Sequence, residues 1–170
     1  MGGSADLSGS NSTVIENTVG FQQGSYFGRM INYGVREHAM GAINNGLNQH
    51  GGLISFAATF FVFSDYLRPV LRISALSDTG SIWVFTHDSI MVGEDGPTHQ
   101  PVEHLAAVRA IPNLVTLRPA DANEVSEAWK IAIERRHAPT LLALTRQNVP
   151  VFDREKFASA NGLEKGAYVM

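Results

Sequence analysis

Two histidines and three carboxylates fall within the fifteen residues from His87 to Pro101: His87-Asp88-Ser89-Ile90-Met91-Val92-Gly93-Glu94-Asp95-Gly96-Pro97-Thr98-His99-Gln100-Pro101. Polar density of this kind is costly to bury without a purpose. It can also be a solvated loop, with turn signals at Asp95-Gly96-Pro97. In a third reading, His87, Asp88, His99 and Glu103 ligate zinc or manganese, although no H-E-x-x-H or comparable spacing is present. A second candidate is Glu37 in Tyr33-Gly34-Val35-Arg36-Glu37-His38-Ala39-Met40-Gly41, where a strand runs through Gly34 into a helix. The helix dipole favours a carboxylate in that first turn, so Glu37 also fits plain helix design, and His38 beside it reads as packed or surface-exposed. The aromatics Phe60, Phe63 and Tyr66 are spaced three apart, along roughly one helix face, which by itself means core packing. Arg146 follows the end of a strand, where a guanidinium could meet an anion through two hydrogen bonds; a surface ion pair explains it equally well. Neither G-x-x-x-x-G-K-[ST] nor G-x-G-x-x-G occurs, which excludes the nucleotide-binding readings tied to those motifs.

The elements that must position these residues follow from periodicity. Strands are expected at Met30 to Tyr33, Leu53 to Ala57, Ile82 to Thr86, Leu114 to Arg118 and Thr140 to Thr145. Helices are expected at about Glu37 to Asn48, Thr59 to Ser77, Pro101 to Ala110 and Ala122 to Arg136. Asp121 can cap the last helix, with Glu124 completing a D-x-x-E pattern and Val125, Ala128, Trp129, Ala132 and Ile133 forming an apolar stripe. Phe60, Phe63, Leu67, Val70 and Leu71 share a face, and Pro69 is expected to kink that helix or to mark its first turn. Ile82-Trp83-Val84-Phe85 and Leu141-Leu142-Ala143-Leu144 lack polar alternation, as parallel strands covered on both faces do. The fold class is therefore α/β, an open, doubly wound and mainly parallel sheet with helices on both faces. Gly2 to Asn11 and His87 to Gln100 read as irregular, the second directly beyond a strand's carboxyl end, where such sheets bind ligands.

The 170 residues are the natural size of one domain. With 13 Lys and Arg against 16 Asp and Glu, the net charge of −3 gives no footprint for nucleic acid. No apolar run is long enough to span a bilayer. Met1 to Ile15 has neither the basic cluster nor the apolar core of a secretory signal. With no cysteine, neither disulfides nor thiolate chemistry enter, and a cytoplasmic location is the expectation.

Gly2-Gly3-Ser4-Ala5-Asp6-Leu7, Tyr33 to Met40, Thr86-His87-Asp88-Ser89-Ile90, Gly93 to Pro101, Arg118-Pro119-Ala120-Asp121 and Arg146-Gln147-Asn148 together closely resemble transketolase, in the middle domain that binds the aminopyrimidine of thiamine diphosphate. Dihydroxyacetone synthase, a close relative that uses formaldehyde as acceptor, carries similar motifs. The resemblance spans nearly the whole chain, 1–170. It implies transfer of a two-carbon ketol unit from a ketose phosphate to an aldose phosphate, in the pentose phosphate pathway. Glu37 would hydrogen-bond N1′ of the aminopyrimidine and promote the imino tautomer that takes the C2 proton. Phe63 would stack on the pyrimidine, with Phe60 and Tyr66 lining its pocket and Asp6 near both cofactor and substrate. His87, His99 and Asp95 would hold the sugar, the two histidines also counting as catalytic, and Arg146 and Ser10 would grip its phosphate.

By the same resemblance, Mg²⁺ (or Ca²⁺) and the diphosphate belong to a domain that is not in this chain, with its G-D-G…N pattern, so no metal ligand is expected here. A third, C-terminal domain is also absent. The implied partners are sugar phosphates and the diphosphate-binding domain of a partner subunit in a homodimer, with neither nucleic acid nor membrane. The chain alone is expected to be inactive, and a non-catalytic, transketolase-like interaction module is the alternative. One departure is Met91, where the family commonly has glycine and where a long side chain could reshape the loop.

Overall fold

In the computed structural model, which describes residues 1–170, six strands all run parallel. They are β1 (Gly2–Ser4), β2 (Met30–Asn32), β3 (Phe56–Phe60), β4 (Ile82–Thr86), β5 (Val115–Leu117) and β6 (Thr140–Ala143), in the spatial order β2-β1-β3-β4-β6-β5. Four α-helices, α1 (Glu37–His50), α2 (Ser64–Leu76), α3 (His104–Arg109) and α4 (Ala122–Glu134), make four of the five crossovers; the β1–β2 connection has no helix.

The handedness of those crossovers explains the layers. From β2 to β5 each step advances across the sheet in one direction, so right-handed connections place α1, α2 and α3 on one face. The step from β5 back to β6 reverses direction and sends α4 to the other face. The strands' side chains divide accordingly. Trp83, Phe85, Leu141 and Ala143 pack with Met40, Leu67, Leu71 and Val108 in the larger core. Ile82, Val84 and Leu142 pack with Ala128, Ala132 and Leu163 in the smaller one. Both faces of β4 and β6 are buried, which is why neither strand alternates.

The doubly wound α/β class and all five expected strands are present, four of them with shifted edges. The strand expected at Leu53 to Ala57 lies at Phe56–Phe60, and its register with β4 pairs Phe60 with Thr86. Thr59 and Phe60 therefore belong to a strand, and a single 3₁₀ turn, Phe61–Phe63, leads into α2. Phe60 and Phe63 accordingly do not share a helix face with Leu67, Val70 and Leu71. Pro69 stands inside α2, beyond its first turn. Ile133 is exposed on α4, whose buried line is Glu124, Ala128 and Ala132. Gly2 to Asn11 is not wholly irregular, because its start is β1. Two glycines gave that strand no propensity signal, yet they are what lets it enter the sheet. A Cβ on Gly3 would stand 1.8 Å from the Ile31 carbonyl oxygen.

The expected cap on α4 is in place. Asp121 accepts from the Glu124 amide at 3.0 Å, while Glu124 accepts from the Ala120 amide at 2.7 Å. The same two carboxylates anchor the segment after β6. Arg154 donates to Asp121 at 2.7 Å, the Phe152 amide donates to it at 3.0 Å, and the Tyr168 hydroxyl donates to Glu124 at 2.5 Å. Burial opposes the charge on Asp121, but hydrogen bonds from Glu124, Phe152 and Arg154 outweigh it and hold the carboxyl below its ordinary range.

Two glycines on α1 give opposite expectations. A Cβ on Gly41 would come within 2.4 Å of Leu67 Cδ2 and 2.9 Å of Val70 Cγ1 on α2, whereas one on Gly46 would meet nothing within 4 Å. Gly41→Ala should cost about 1–3 kcal/mol by forcing the helices apart. Gly46→Ala should gain up to about 1 kcal/mol from helix propensity. Urea unfolding midpoints of the two variants, against the parent chain, check the signs.

Candidate functional site

The winding direction reverses between β1, which neighbours β2, and β3 on its other side. In a parallel sheet this is the point where the loops beyond the strands diverge and leave a crevice. A cleft of about 480 Å³ lies there. Ala5, Asp6 and Leu7 beyond β1, Val35 and Glu37 beyond β2, Phe60 at the end of β3 with Phe63 and Tyr66 beyond it, and His99 beyond β4 form its walls.

Sharp turns at three strand ends build this rim. Asp6 (φ 62°), Gly34 (φ 71°) and His87 (φ 66°) all adopt the left-handed conformation. For Asp6 and His87, which carry a Cβ, this costs roughly 1–2 kcal/mol each, so the surrounding contacts must impose it. At His87 those contacts are visible. The Asp88 amide donates to the Leu144 carbonyl at 2.9 Å. The Arg118 guanidinium grips Asp88 through Nε at 2.6 Å to Oδ2 and through Nη2 at 3.3 Å to the main-chain oxygen. Ser89 then donates to the Gln147 side chain at 2.5 Å and accepts from the Met91 amide at 2.9 Å.

The aromatic residues form a ladder. The Phe60 and Phe63 rings lie 6.1 Å apart with 7° between their planes, and Tyr66 follows Phe63 at 6.1 Å and 26°. The His87 imidazole also stacks on Phe60, at 3.7 Å and 23°. His99 meets Phe63 edge-on at 5.3 Å. These rings wall a cleft rather than fill the core, and Tyr66 is 62% exposed. Glu37, by contrast, is only 8% exposed although it is a carboxylate opening a helix, and it lines the same cleft. A buried carboxyl in one cleft with exposed aromatic edges and faces suits a flat ring that packs on one aromatic face and carries a polar atom for the carboxyl.

The cleft thus brings together Asp6, Glu37, Phe60, Phe63, Tyr66 and His99. His87 joins through its contact with Phe60. Asp95 and Arg146 do not line the cleft but act electrostatically on His87, and Arg146 lies 3.8 Å from Glu94. Ser10 is exposed and outside the lining, while Asn11 beside it is buried and hydrogen-bonded. His87, Asp88, His99 and Glu103 do not assemble as a metal cluster. The group with three potential ligand atoms in reach of one another is Asp65, Glu103 and His104, with His104 Nε2 3.2 Å from Asp65. Met91 is 60% exposed with φ outside the left-handed range, which in this loop is taken by Gly93 and Gly96, so its backbone does not require glycine.

Sequence reasoning missed the supports: Arg118 on Asp88, and the buried pair Asn11 and Thr86 beside His87. Arg118 stands in a quoted motif that could have flagged it, whereas Asn11 carries no signal of its own.

Burial lowers the His87 pKa; Asp95 partly offsets this, and Arg146 and His99 add to it. Below the ordinary imidazole value of 6.5 the unfolded chain therefore binds a proton that the folded chain resists. Stability should rise with pH up to about that value and fall as pH drops below it. The slope of unfolding free energy against pH should be shallower in His87→Gln over that acid window, as urea titrations at stepped pH would show.

The model of the transketolase pyrimidine-binding domain matches residues 1–151. The transketolase of Bacillus subtilis is 56% identical over 170 residues, all of this chain and 26% of that protein. The Pichia stipitis transketolase solved with sedoheptulose 7-phosphate superposes with a TM-score of 0.93 at 51% identity, covering 99% of this chain and 25% of that one. A split-gene transketolase, solved as an inactive β4 tetramer, superposes with a TM-score of 0.64 at 30% identity, covering 90% of this chain and 47% of that one. This chain thus spans about a quarter of the curated relatives it matches. No helix is long and apolar enough to cross a membrane.

Proposed function

Because the chain belongs to the transketolase family, through its pyrimidine-binding domain, we propose that it supplies the pyrimidine half of a thiamine diphosphate site in an enzyme that moves a two-carbon ketol unit between sugar phosphates. The observation that carries this reading is the buried Glu37 carboxyl in one cleft with the Phe60, Phe63 and Tyr66 ladder. When bound, thiamine diphosphate supplies an acidic C2–H and an electron sink for the two-carbon unit.

This chain's residues would do the rest. Phe63, with Phe60 and Tyr66 beside it, offers a flat apolar face to the aminopyrimidine and excludes water from one side of it. Glu37 holds a proton at ring nitrogen N1′, a role that its burial in the first turn of α1 suits because the proton is then shared with the ring rather than with solvent. Asp6 lies beside cofactor and sugar. His87, His99 and Asp95 hold the sugar's hydroxyls and carbonyl, and Arg146, half-exposed beyond β6, takes the phosphate, with Ser10 assisting from the loop beyond β1.

The diphosphate and its Mg²⁺ or Ca²⁺ are assigned to a diphosphate-binding domain outside these residues, contributed by a partner subunit in a homodimer. The small share of the relatives' length that this chain covers supports that arrangement. So does the placement of this cleft as one open wall. The setting is the pentose phosphate pathway in the cytoplasm, and the single domain is inactive alone. The inactive tetramer among the relatives favours a second reading, a self-associating module without turnover.

The test is ketol transfer from xylulose 5-phosphate to ribose 5-phosphate with thiamine diphosphate and Mg²⁺. Activity is expected only when the chain is mixed with a diphosphate-binding domain from the same source; silence in the mixture, with both parts folded, favours the second reading. In the active mixture, Glu37→Ala should cut kcat by roughly 10²–10⁴-fold, the usual size of a general acid–base contribution. Arg146→Ala should weaken phosphorylated sugars by about 1–3 kcal/mol and leave unphosphorylated ones nearly unchanged. Equal losses on both would remove Arg146 from the phosphate site.

A further inference from the structure

The buried stripe of α1 runs Glu37, Met40, Gly41, Asn44 and Asn45, and Met40 is its one large apolar side chain. Apolar contact attracts without fixing rotation or axial position, whereas hydrogen bonds are directional. The two asparagines, 0% and 5% exposed, therefore seat this helix. Asn44 Nδ2 donates to the Ile82 carbonyl at 3.3 Å and Asn44 Oδ1 accepts from Ser55 Oγ at 2.7 Å, which fastens α1 to the sheet. Asn45 ties it to a second helix. Its Nδ2 donates to the Val70 carbonyl of α2 at 3.2 Å, and its Oδ1 accepts from Ser81 Oγ, just ahead of β4, at 2.7 Å.

Only one orientation of the Asn45 carboxamide satisfies both partners. Val70 offers a carbonyl oxygen, which can only accept, so the NH₂ end must face it and the oxygen is left for the Ser81 hydroxyl. Asn45, Val70 and Ser81 are each 5% exposed or less, so water does not stand in for either bond. Glu37 belongs to the same buried stripe, eight residues before Asn45, or roughly 12 Å along the axis at 1.5 Å per residue. Tyr66 stands one turn before Val70 on α2, and Phe63 immediately precedes that helix. Between these ends the helices touch at Gly41, where a Cβ would strike Leu67 and Val70. That contact sets how closely they approach, but a glycine has no group with which to fix their tilt. No side chain caps α1 at its cleft end, so the place of its first turn is inherited from contacts farther along the helix.

We propose that Asn45 is a positioning residue: by tying α1 to Val70 of α2 and to Ser81, it sets the spacing between the Glu37 carboxyl and the Phe63 and Tyr66 rings. The proposal rests on the sugar-transfer reading for what Glu37 does, but not for the clamp itself. Without the carboxamide, α1 stays seated on the sheet through Asn44 and Met40 but can pivot against α2. A displacement on the order of 1 Å at a reacting group is enough to cost about 10²-fold in rate.

Two measurements test this. In the ¹⁵N-labelled 170-residue chain, N–H residual dipolar couplings report the tilt of α1 against α2 and β4. Asn45→Leu, which keeps the volume and removes both bonds, should shift the α1 couplings away from the parent orientation and leave those of α4 and β6 in place. Unchanged α1 couplings overturn the clamp. In the mixture with the diphosphate-binding domain, Asn45→Leu should lower kcat by roughly 10–100-fold and leave the KM for xylulose 5-phosphate within about two-fold, since it removes no contact to the sugar. The same substitution in a Glu37→Ala chain should lower kcat no further, because Asn45 acts through Glu37. A general loss of folded protein lowers both backgrounds alike, so equal fold-losses overturn the positioning role, as does an unchanged kcat. Should Asn45→Leu fail to fold, Ser81→Ala, which removes only one of the two bonds, carries the same readouts with a roughly two- to ten-fold loss of kcat. Shifted couplings in a variant whose parent mixture transfers no ketol unit would sink the sugar-transfer reading, and with it the catalytic purpose of Asn45, while leaving the clamp in place.

Discussion

A sheet in which every strand is parallel cannot be joined by hairpins; each connection has to recross the sheet, and right-handed crossovers dictate the face on which it does so. That constraint organises this chain. It gathers the carboxyl ends of all six strands along one edge and places three helices on one side with the fourth opposite. Between β1 and β3, where the winding turns back, it leaves a gap that backbone pairing cannot close. The cleft is a consequence of topology before it is a consequence of side chains.

What the side chains add is a division of labour along that edge. The aromatic wall comes from the end of β3 and the segment after it, the buried acid from the segment after β2, and the two histidines from the segment after β4. Polar groups buried at the strand ends carry a desolvation cost that only hydrogen bonding offsets. At Asp121, Asp88 and Thr86 that bonding comes from segments distant in sequence, Arg154, Arg118 and Asn11 respectively. Structural and chemical roles are therefore hard to separate here. The pair that lets His87 keep its left-handed backbone also belongs to the scaffold that ties β5 to β4.

The legible part of the sequence was the part governed by local rules. Ile82–Thr86 was placed to the residue because an unbroken β-branched and aromatic run has one use in a sheet covered on both faces. The Asp121 cap was readable because capping is a contact between near neighbours. β1 was invisible because Gly2 and Gly3 matter for what they lack, a Cβ that would strike Ile31. The start of α2 was misplaced because Phe60 and Phe63 have helical spacing but bracket a change from strand to 3₁₀ turn. From spacing alone the aromatic residues read as core. Their place along a cleft depends on the neighbouring strand order, which no local pattern encodes.

The bracing of the segment after β4 bears on how this fold can change over generations. Its backbone and side chains are pinned at Leu144 and Gln147 beyond β6 and at Arg118 beyond β5. An insertion there would break several bonds to two separate stretches of chain, so lengthening this loop is costly. The long stretch between β1 and β2 has no helix to reposition and few anchors to the remainder of the sheet. Sequence change would more readily accumulate there, with the histidine-bearing loop changing by replacement of exposed side chains such as Met91 and retaining its length.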